Sequence, residues 1–477
     1  MAGKRATNRV LPRWAVWIIA ALVVILSALF LFEVLTRASR RRWQAYAASI
    51  RASGQPLTFA EIEAARPKIP DEQNGALVIE RIAEDLDEIY KSRDEVDEWV
   101  FHFGTRDEGH DFLSGVAVER IEPSRKFLAD NQDVMNALAE LRDRPAGRID
   151  LPETDDYIEY MLPGLSSTRT AARLFAVRFS LELVDGNSEA AAEDLRLYTH
   201  ATATFNYQPS LIAVLVQDAL DGLLVEQIEA FFSVFHSFTN ELNLLHQIVS
   251  KRLESPAIHW ALLGERAFLV ALFDDYTNLG TNIGGSLNPS FASKLPFMPE
   301  LLARENQIRA VELVTKLIDA GDDGIAQLSV TRQMANELAS LSIFYRLTQE
   351  TNTSVLRSIE FYYRIQGQLR SALTAIAAER FRLDHGRFPE TLDELVPEYL
   401  DEVPIDPFDG KPIKMKETDL GIVIYTIGDD EVDNDGQVEF GENRRPLDFG
   451  IRLLRPEHRG LKLIRVTEDA APEAQTP

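Results

Sequence analysis

The pattern of apolar and polar positions divides the chain into three parts. Trp14 to Phe32 are nineteen consecutive residues without a charge. Residues 44 to about 350 carry apolar side chains at three- and four-residue spacing, which is typical of amphipathic helices. Beyond residue 410, two short runs rich in β-branched residues indicate strands. The pattern predicts a mainly α protein with an N-terminal apolar helix and a small C-terminal α+β module.

The apolar run at 14–32 predicts a transmembrane helix. At 1.5 Å per residue, nineteen residues are long enough to cross a hydrocarbon core of roughly 30 Å. Tryptophans near both ends of the run suit the membrane interface. The alternative is a cleaved signal peptide, but the run is longer than the usual apolar core of such a peptide, and no small-x-small site precedes the arginines. We expect a short basic tail at 1–13 and a membrane anchor at 14–35.

Charge is distributed unevenly along the chain. Residues 1–42 carry a net charge of +7, which leaves −32 for the remainder of a chain whose total is −25. Such an acidic body disfavours nucleic acid and anionic lipid as partners. Four basic residues flank the apolar run on each side, so charge alone does not fix its orientation. We expect a single-pass protein of the cytoplasmic (inner) membrane, with the short tail inside and an extracytoplasmic, periplasmic body.

The segment 36–360 is predicted to be an irregular helical domain rich in hairpins. One pair of helices breaks at Asp185-Gly186-Asn187. A further helix begins after Pro209, with Ser210 near its first turn, and is apolar on most faces, which predicts a buried central helix. We find no 34-residue recurrence that would indicate an array of helical repeats.

This helical domain lacks a recognisable catalytic motif. His102 and His110 are the closest pair of histidines and lack a helical His-x-x-x-His spacing. The Gly-rich segment 279–293 lacks the Lys-Ser or Lys-Thr of a phosphate-binding loop, and the absence of cysteine removes thiol nucleophiles and thiolate metal sites. We therefore predict no catalytic or cofactor-binding residue and a protein that is not an enzyme. The alternative is a membrane-anchored enzyme with a site among the helices near residues 279–293.

The last third of the chain contains clear capping signals. A helix rich in Ala and Leu, from about residue 365, is predicted to end at Gly386 with His385 in its last turn. Thr391 and Glu394 form a capping-box pattern for a second short helix. A proline-punctuated turn then leads into one strand, and "LGIVIYTIG" indicates another.

Three motifs in this region carry a resemblance to a known family. The order "RFRLDHGRFPETLDEL", "VPIDPFDGKP", "YTIGDDEVDNDG" resembles the globular part of the major pseudopilin of type II secretion systems, over roughly residues 365–440. The resemblance implies a helix laid on a small antiparallel sheet, with a calcium ion held by the acidic loop after the last strand. A pseudopilin has its membrane helix directly before this part, whereas the apolar run lies over 300 residues upstream here, so we do not expect a fibre subunit. We assign 361–465 to a pseudopilin-like module and 466–477 to a disordered tail.

The acidic stretch from Tyr425 to Glu442 contains seven carboxylates in eighteen residues. Such crowding is costly unless the charges are solvated or share a cation. The resemblance places Asp433 and Asp435 at the family's ligand positions, with Asp430 a looser match.

A second pattern points to the same ion. Residues 431–442 scan as a twelve-position calcium loop, with Gly436 at the sixth place and Glu442 at the twelfth, although Glu431 replaces the usual first Asp. Oxygen ligands without nearby His or Cys favour calcium over zinc. The alternative is an acidic turn left to water. The candidate metal ligands are Asp430, Asp433, Asp435 and Glu442.

Together, these observations predict a structural or interaction role and no catalysed reaction. We expect a membrane-anchored extracytoplasmic structural or interaction protein with protein partners, within an envelope or secretion-related assembly. Its C-terminal module is expected to be stabilised by calcium. The sequence does not indicate an oligomeric state.

Overall fold

The computed structural model describes residues 12–91, 116–151, 164–236, 239–278, 300–321, 324–438 and 446–464. Over these residues the protein is mainly helical, with one three-stranded antiparallel sheet, which confirms the predicted class. The described helices are α1 (Arg13–Ala52), α2 (Phe59–Ala65), α3 (Ala76–Arg81), α4 (Ala83–Lys91), α5 (Val118–Asp130), α6 (Gln132–Leu138), α7 (Leu165–Asp185), α8 (Ser188–Thr202), α9 (Leu211–Val234), α10 (Thr239–Leu253), α11 (Ala257–Asn278), α12 (Glu300–Asp319), α13 (Gly324–Ser340) and α14 (Arg346–His385). The described strands are β1 (Val116–Ala117), β2 (Lys414–Thr418), β3 (Gly421–Thr426), β4 (Phe449–Leu454) and β5 (Leu463–Ile464).

Helix α1 is longer than the predicted anchor, because it continues for 40 residues without a break. Its apolar side chains from Trp14 to Leu35 are exposed, whereas Trp43, Ala47 and Ile50 are buried in the body. Two described stretches each contain an 18-residue window that is apolar enough to cross a membrane by composition: the window in Arg13–Ala52 has a mean hydropathy of 2.9, and the window in Thr239–Asp274 has 1.3. The second window is 72% buried and belongs to the protein core, whereas the window in α1 has no buried residue.

The helical hairpins follow their local signals. Helices α7 and α8 form the predicted hairpin, with Gly186 between them at a φ of 76°. Ser210 caps α9 by accepting a hydrogen bond from the Ala213 amide, as the position after Pro209 predicts. Most residues of α9 are buried, which confirms the predicted central helix.

Helix α14 differs from its prediction in length. It begins at Arg346, about twenty residues before the predicted start, and therefore runs through the predicted domain boundary at 360/361. Its end at Gly386, which has a φ of 74°, is as predicted. The capping box of Thr391 and Glu394 is present, but it starts a single 3-10 turn and not an α-helix.

The sheet has the order β2-β3-β4, and both pairings are antiparallel. Both β3 and β4 pack on α14, and β4 also packs on α9. One hydrophobic core includes residues of the sheet and of the helices α7 to α10. Strand β4 was not predicted. It follows the acidic stretch, so this stretch links β3 to β4, and the expectation of an acidic loop after the last strand is wrong.

Candidate functional site

The most distinctive surface is the exposed apolar part of α1. From Trp14 to Leu35 its large apolar side chains are between 39% and 75% exposed. An apolar surface of this extent is far larger than soluble proteins leave in water, and it marks a contact with lipid or with another protein. This helix contains the whole of the predicted anchor at 14–35.

The same helix is attached to the body by polar contacts directly after the apolar part ends. Arg40 pairs with Glu300 at the first residue of α12, and Arg42 pairs with Glu305 one turn later. The Ser39 hydroxyl donates to the same Glu305 carboxylate at 2.7 Å. Because α1 continues into these contacts without a hinge, its direction relative to the body is fixed by the body's own core.

The acidic stretch is the predicted calcium site, and its described carboxylates take part in hydrogen bonds within the protein. Asp433 Oδ1 accepts from the Tyr425 hydroxyl and from the Asp435 amide, both at 3.0 Å. Lys416 Nζ donates to Asp435 Oδ2 at 2.5 Å and to its carbonyl oxygen at 3.0 Å. Asp430 Oδ1 accepts from the Val432 amide at 3.1 Å.

A carboxylate that sequence reasoning missed organises the same turn. Asp448, which directly precedes β4, is fully buried and accepts from the Asn434 amide at 3.2 Å and the Gly436 amide at 2.8 Å. Burial raises the pKa of Asp448 despite these bonds. Gly436 has a φ of 72°, as its predicted place at a sharp turn requires. Sequence reasoning missed Asp448 because the two amides that donate to it are twelve or more residues away in sequence.

The calcium assignment stays a prediction. Asp433 and Asp435 lie in one turn, and Asp430 bonds within its own turn, whereas Glu442 lies outside the described residues. Among the residues that the structure does describe, no group of three or more His, Cys, Asp or Glu side chains is arranged to hold a metal ion. A calcium ion bound by Asp435 would have to displace Lys416.

A second polar region lies along α8. An open cavity of about 1010 Å³ is lined by residues of α7, α8 and α10, among them Asp194 and Arg178. Asp194 is 2% exposed, and its Oδ2 atom is buried without a hydrogen-bond partner. Burial raises the pKa of Asp194 to about 6, although Arg178 opposes this by donating to Oδ1 at 2.7 Å.

An adjoining cavity of about 360 Å³ is lined by a buried histidine, His200. His200 Nδ1 lies 2.7 Å from the Leu141 carbonyl oxygen, so this nitrogen carries the proton, and burial lowers the pKa of the ring. Arg142 and Arg196 line both cavities and both donate to Glu193. Local sequence motifs do not indicate either cavity, because the residues that line each one come from segments far apart in the chain.

The segment 279–293, where an enzymatic site was the alternative expectation, lies outside the described residues. Comparison of the chain with protein-family models, with curated proteins and with solved structures found no match.

Proposed function

We propose that the protein is a single-pass membrane protein whose α1 crosses the cytoplasmic membrane and presents the helical body, with its C-terminal α+β module, to partners on the extracytoplasmic side. One observation carries this proposal. The exposed apolar part of α1 is continuous with a helix built into the body core, so the span and the body form one unit.

The charge of the body supports the proposed side of the membrane. The cytoplasmic leaflet is the more anionic surface in cells, and a body with a net charge near −32 is repelled by it. The extracytoplasmic side avoids this repulsion. The short tail at 1–13, with its four basic residues, suits the anionic cytoplasmic surface.

The proposed role is structural or interactive, within an envelope or secretion-related assembly. The large cavity along α8 is open and lined by charges of both signs, which suits a polar segment of a protein partner better than a small apolar ligand. The pseudopilin-like motifs of the C-terminal module are the reason to name a secretion-related assembly.

Two measurements test the proposal. A reporter that is active only in the cytoplasm, fused after Pro477, should stay silent, while one active only outside the cytoplasm should give a signal. The chain extracted in mild detergent should migrate with a native mass well above that of one 53.7 kDa chain with its detergent. The reverse reporter pattern would contradict the topology, and a monomer under all extraction conditions would contradict the assembly.

A second candidate function is enzymatic, and Asp194 is the observation that favours it. A buried carboxyl with a pKa of about 6 in an open cavity is suited to proton transfer near neutral pH. Hydrolysis of chromogenic glycosides, phosphate esters and peptides by the purified chain, lost in Asp194→Asn, would establish this role. Absence of turnover on all three classes, or equal turnover by the variant, would contradict it.

A further inference from the structure

We infer that the turn between α13 and α14 is a second membrane contact, which places Ile343 and Phe344 in the lipid interface of the bilayer that α1 crosses. This inference rests on the proposed membrane anchoring. It adds that the body has one fixed orientation relative to the membrane surface.

The turn presents an unusual apolar pair to solvent. Ile343 is 76% exposed and Phe344 is 62% exposed. Outside α1, these are the two most exposed large apolar side chains in the described part of the chain. Tyr345 and Arg346 follow directly, and side chains of these types are suited to the boundary between lipid and water. The composition of the turn is thus that of an interfacial segment.

The direction of α12 shows which end of the body faces the membrane. At its start, Glu305 accepts from the Ser39 hydroxyl of α1 at 2.7 Å. At its end, Asp319 accepts from Gln55 Nε2, just after α1, at 2.9 Å. The two helices therefore run parallel, and the start of α12 lies at the end of the body where the exposed apolar part of α1 emerges.

The turn lies at this same end. Asn306, the neighbour of Glu305, donates from Nδ2 to the Phe344 carbonyl oxygen at 2.8 Å, and its Oδ1 accepts from the Thr348 amide at 3.2 Å. The start of α14 is thereby fixed beside the start of α12.

Helix α14 then runs away from this end. Fifteen residues after Thr348, the Tyr363 hydroxyl donates to Gln327 Oε1 at 2.9 Å, and Gln327 Nε2 donates to the carbonyl oxygen of Leu317, near the end of α12, at 3.0 Å. The turn before α14 therefore projects toward the membrane and not toward the far end of the body.

The height of the turn fits the lipid interface. Ser39 follows the last exposed apolar residue of the run, Leu35, by four residues, or about 6 Å along the helix axis. The headgroup layer on each side of a bilayer is roughly 5–7 Å thick. The contact of Ser39 with Glu305 therefore lies near the outer boundary of the headgroups. The Phe344 carbonyl oxygen is hydrogen-bonded to Asn306, the next residue of α12. At this height the aromatic ring of Phe344 can reach the lipid.

Charge at this end is compatible with lipid, although the body as a whole is acidic. Glu300 pairs with Arg40, and Glu305 pairs with Arg42. The hydrogen bond from Arg40 lowers the pKa of Glu300, so this carboxylate stays ionised within its pair. These two acids of α12 are thus paired with cations of α1.

Because the chain contains no cysteine, a single introduced cysteine can be labelled at one chosen position. Single cysteines are introduced as Ser342→Cys in the turn, Leu26→Cys in α1 and Leu420→Cys at the β2–β3 turn, and each is labelled with a thiol-reactive fluorophore. The full chain is reconstituted into phosphatidylcholine vesicles with and without lipid brominated in its acyl chains. Ser342 is exposed, and its replacement leaves both apolar side chains in place.

Leu420 is a matched control at the far end of α14. It is 53% exposed, and its carbonyl oxygen accepts from the Arg455 amide at 2.8 Å. Arg459, four residues on, pairs with Glu379, which lies 31 residues after Thr348, or about 46 Å along the helix.

We expect brominated lipid to quench the label at residue 342 and the label at residue 26, and to leave the label at residue 420 unchanged. Adding Ile343→Ser and Phe344→Ser to the Ser342→Cys chain should abolish the quenching at residue 342. Quenching at residue 26 without quenching at residue 342 would overturn the inference, assign the turn to water or a protein partner and leave the anchor intact. No quenching at residue 26 would overturn the proposed anchoring, and the inference with it.

Discussion

Glu379 and Arg459 form a bidentate ion pair in which neither side chain is exposed to solvent. The Nη1–Oε1 distance is 2.6 Å and the Nη2–Oε2 distance is 2.7 Å. Arg459 also donates from Nε to the Leu454 carbonyl oxygen and from Nη1 to that of Phe235. One guanidinium therefore connects α14, the end of β4 and the segment after α9, and it fastens the C-terminal module to the helical body.

Removing this guanidinium should destabilise the protein strongly. Arg459→Met leaves the Glu379 carboxylate buried with only Arg382 as a charged partner, and breaking a buried pair costs about 3–5 kcal/mol. Denaturant unfolding of the detergent-solubilised chain measures the loss. The matched control is Arg455→Met, whose pair with Glu417 is exposed and is expected to contribute about 1 kcal/mol or less. An equal loss of unfolding free energy in the two variants would show that the buried pair stabilises the protein no more than the exposed pair does.

The same pair should contribute to the acid sensitivity of the fold. Burial raises the pKa of Glu379, but the hydrogen bonds from Arg459 and Arg382 outweigh it and hold the pKa below the ordinary value of 4.5. The unfolded chain therefore binds this proton more readily, so the stabilisation is complete above pH 4.5 and is lost as the pH falls through the folded-state pKa. Unfolding midpoints of Glu379→Gln should decline less than those of the wild type on acidification below this pH, whereas parallel declines would refute the assignment.

Two helical glycines should respond differently to a methyl group. A Cβ at Gly264 in α11 would lie 1.9 Å from the Pro209 carbonyl oxygen, whereas a Cβ at Gly222 in α9 would meet its nearest atom, on Ile365, at 3.4 Å. We expect Gly264→Ala to lower the free energy of unfolding by at least about 1–3 kcal/mol. Gly222→Ala should be near neutral or gain up to about 1 kcal/mol from helix propensity. Thermal unfolding of both variants decides this, and a harmless Gly264→Ala would contradict the close approach of α11 to the loop before α9.

Calcium binding by the acidic stretch has a specific competitor in the structure. If Asp433 and Asp435 bind calcium, millimolar calcium should raise the melting midpoint relative to chelator, because the ion binds only the folded state. Lys416→Met should enlarge this shift, since it removes the ammonium group that pairs with Asp435. The double variant Asp433→Asn, Asp435→Asn should abolish it. No shift in the wild type or in Lys416→Met would show that the turn is closed by its own hydrogen bonds.

The features that were predicted correctly depend on neighbours in sequence. Gly186, Ser210 and Gly386 end or begin helices through backbone conformation or a hydrogen bond three residues away, so a short window contains the whole signal. The exposed apolar run of α1 is likewise local.

The features that were missed depend on residues far apart in sequence. Strand β4 carries Arg452 in its middle, which interrupts the apolar pattern, and only the fold supplies Glu229 of α9, which accepts from Arg452 Nε at 2.6 Å. The first turns of α14 are rich in Thr, Asn and Ser, which are weak helix formers. They are stabilised by burial of Val355 and Ile359 in the hydrophobic core that also contains Trp43 of α1. At the acidic turn, Asp448 acts from beyond the predicted motif.

In the proposed topology, α1 crosses a membrane and continues as part of the folded body. The direct measurement is the distribution of the full chain, and of a chain lacking residues 1–35, between membrane and soluble fractions after high-salt and alkaline washes. The truncated chain keeps the buried part of α1 at Trp43, Ala47 and Ile50, so its body has the contacts it needs to fold. We expect the full chain to stay with the membrane in both washes, because its apolar span does not depend on screened charge. The truncated chain should be soluble and should lose only the helical signal of residues 13–35. Release of the full chain by either wash would contradict the proposed membrane span.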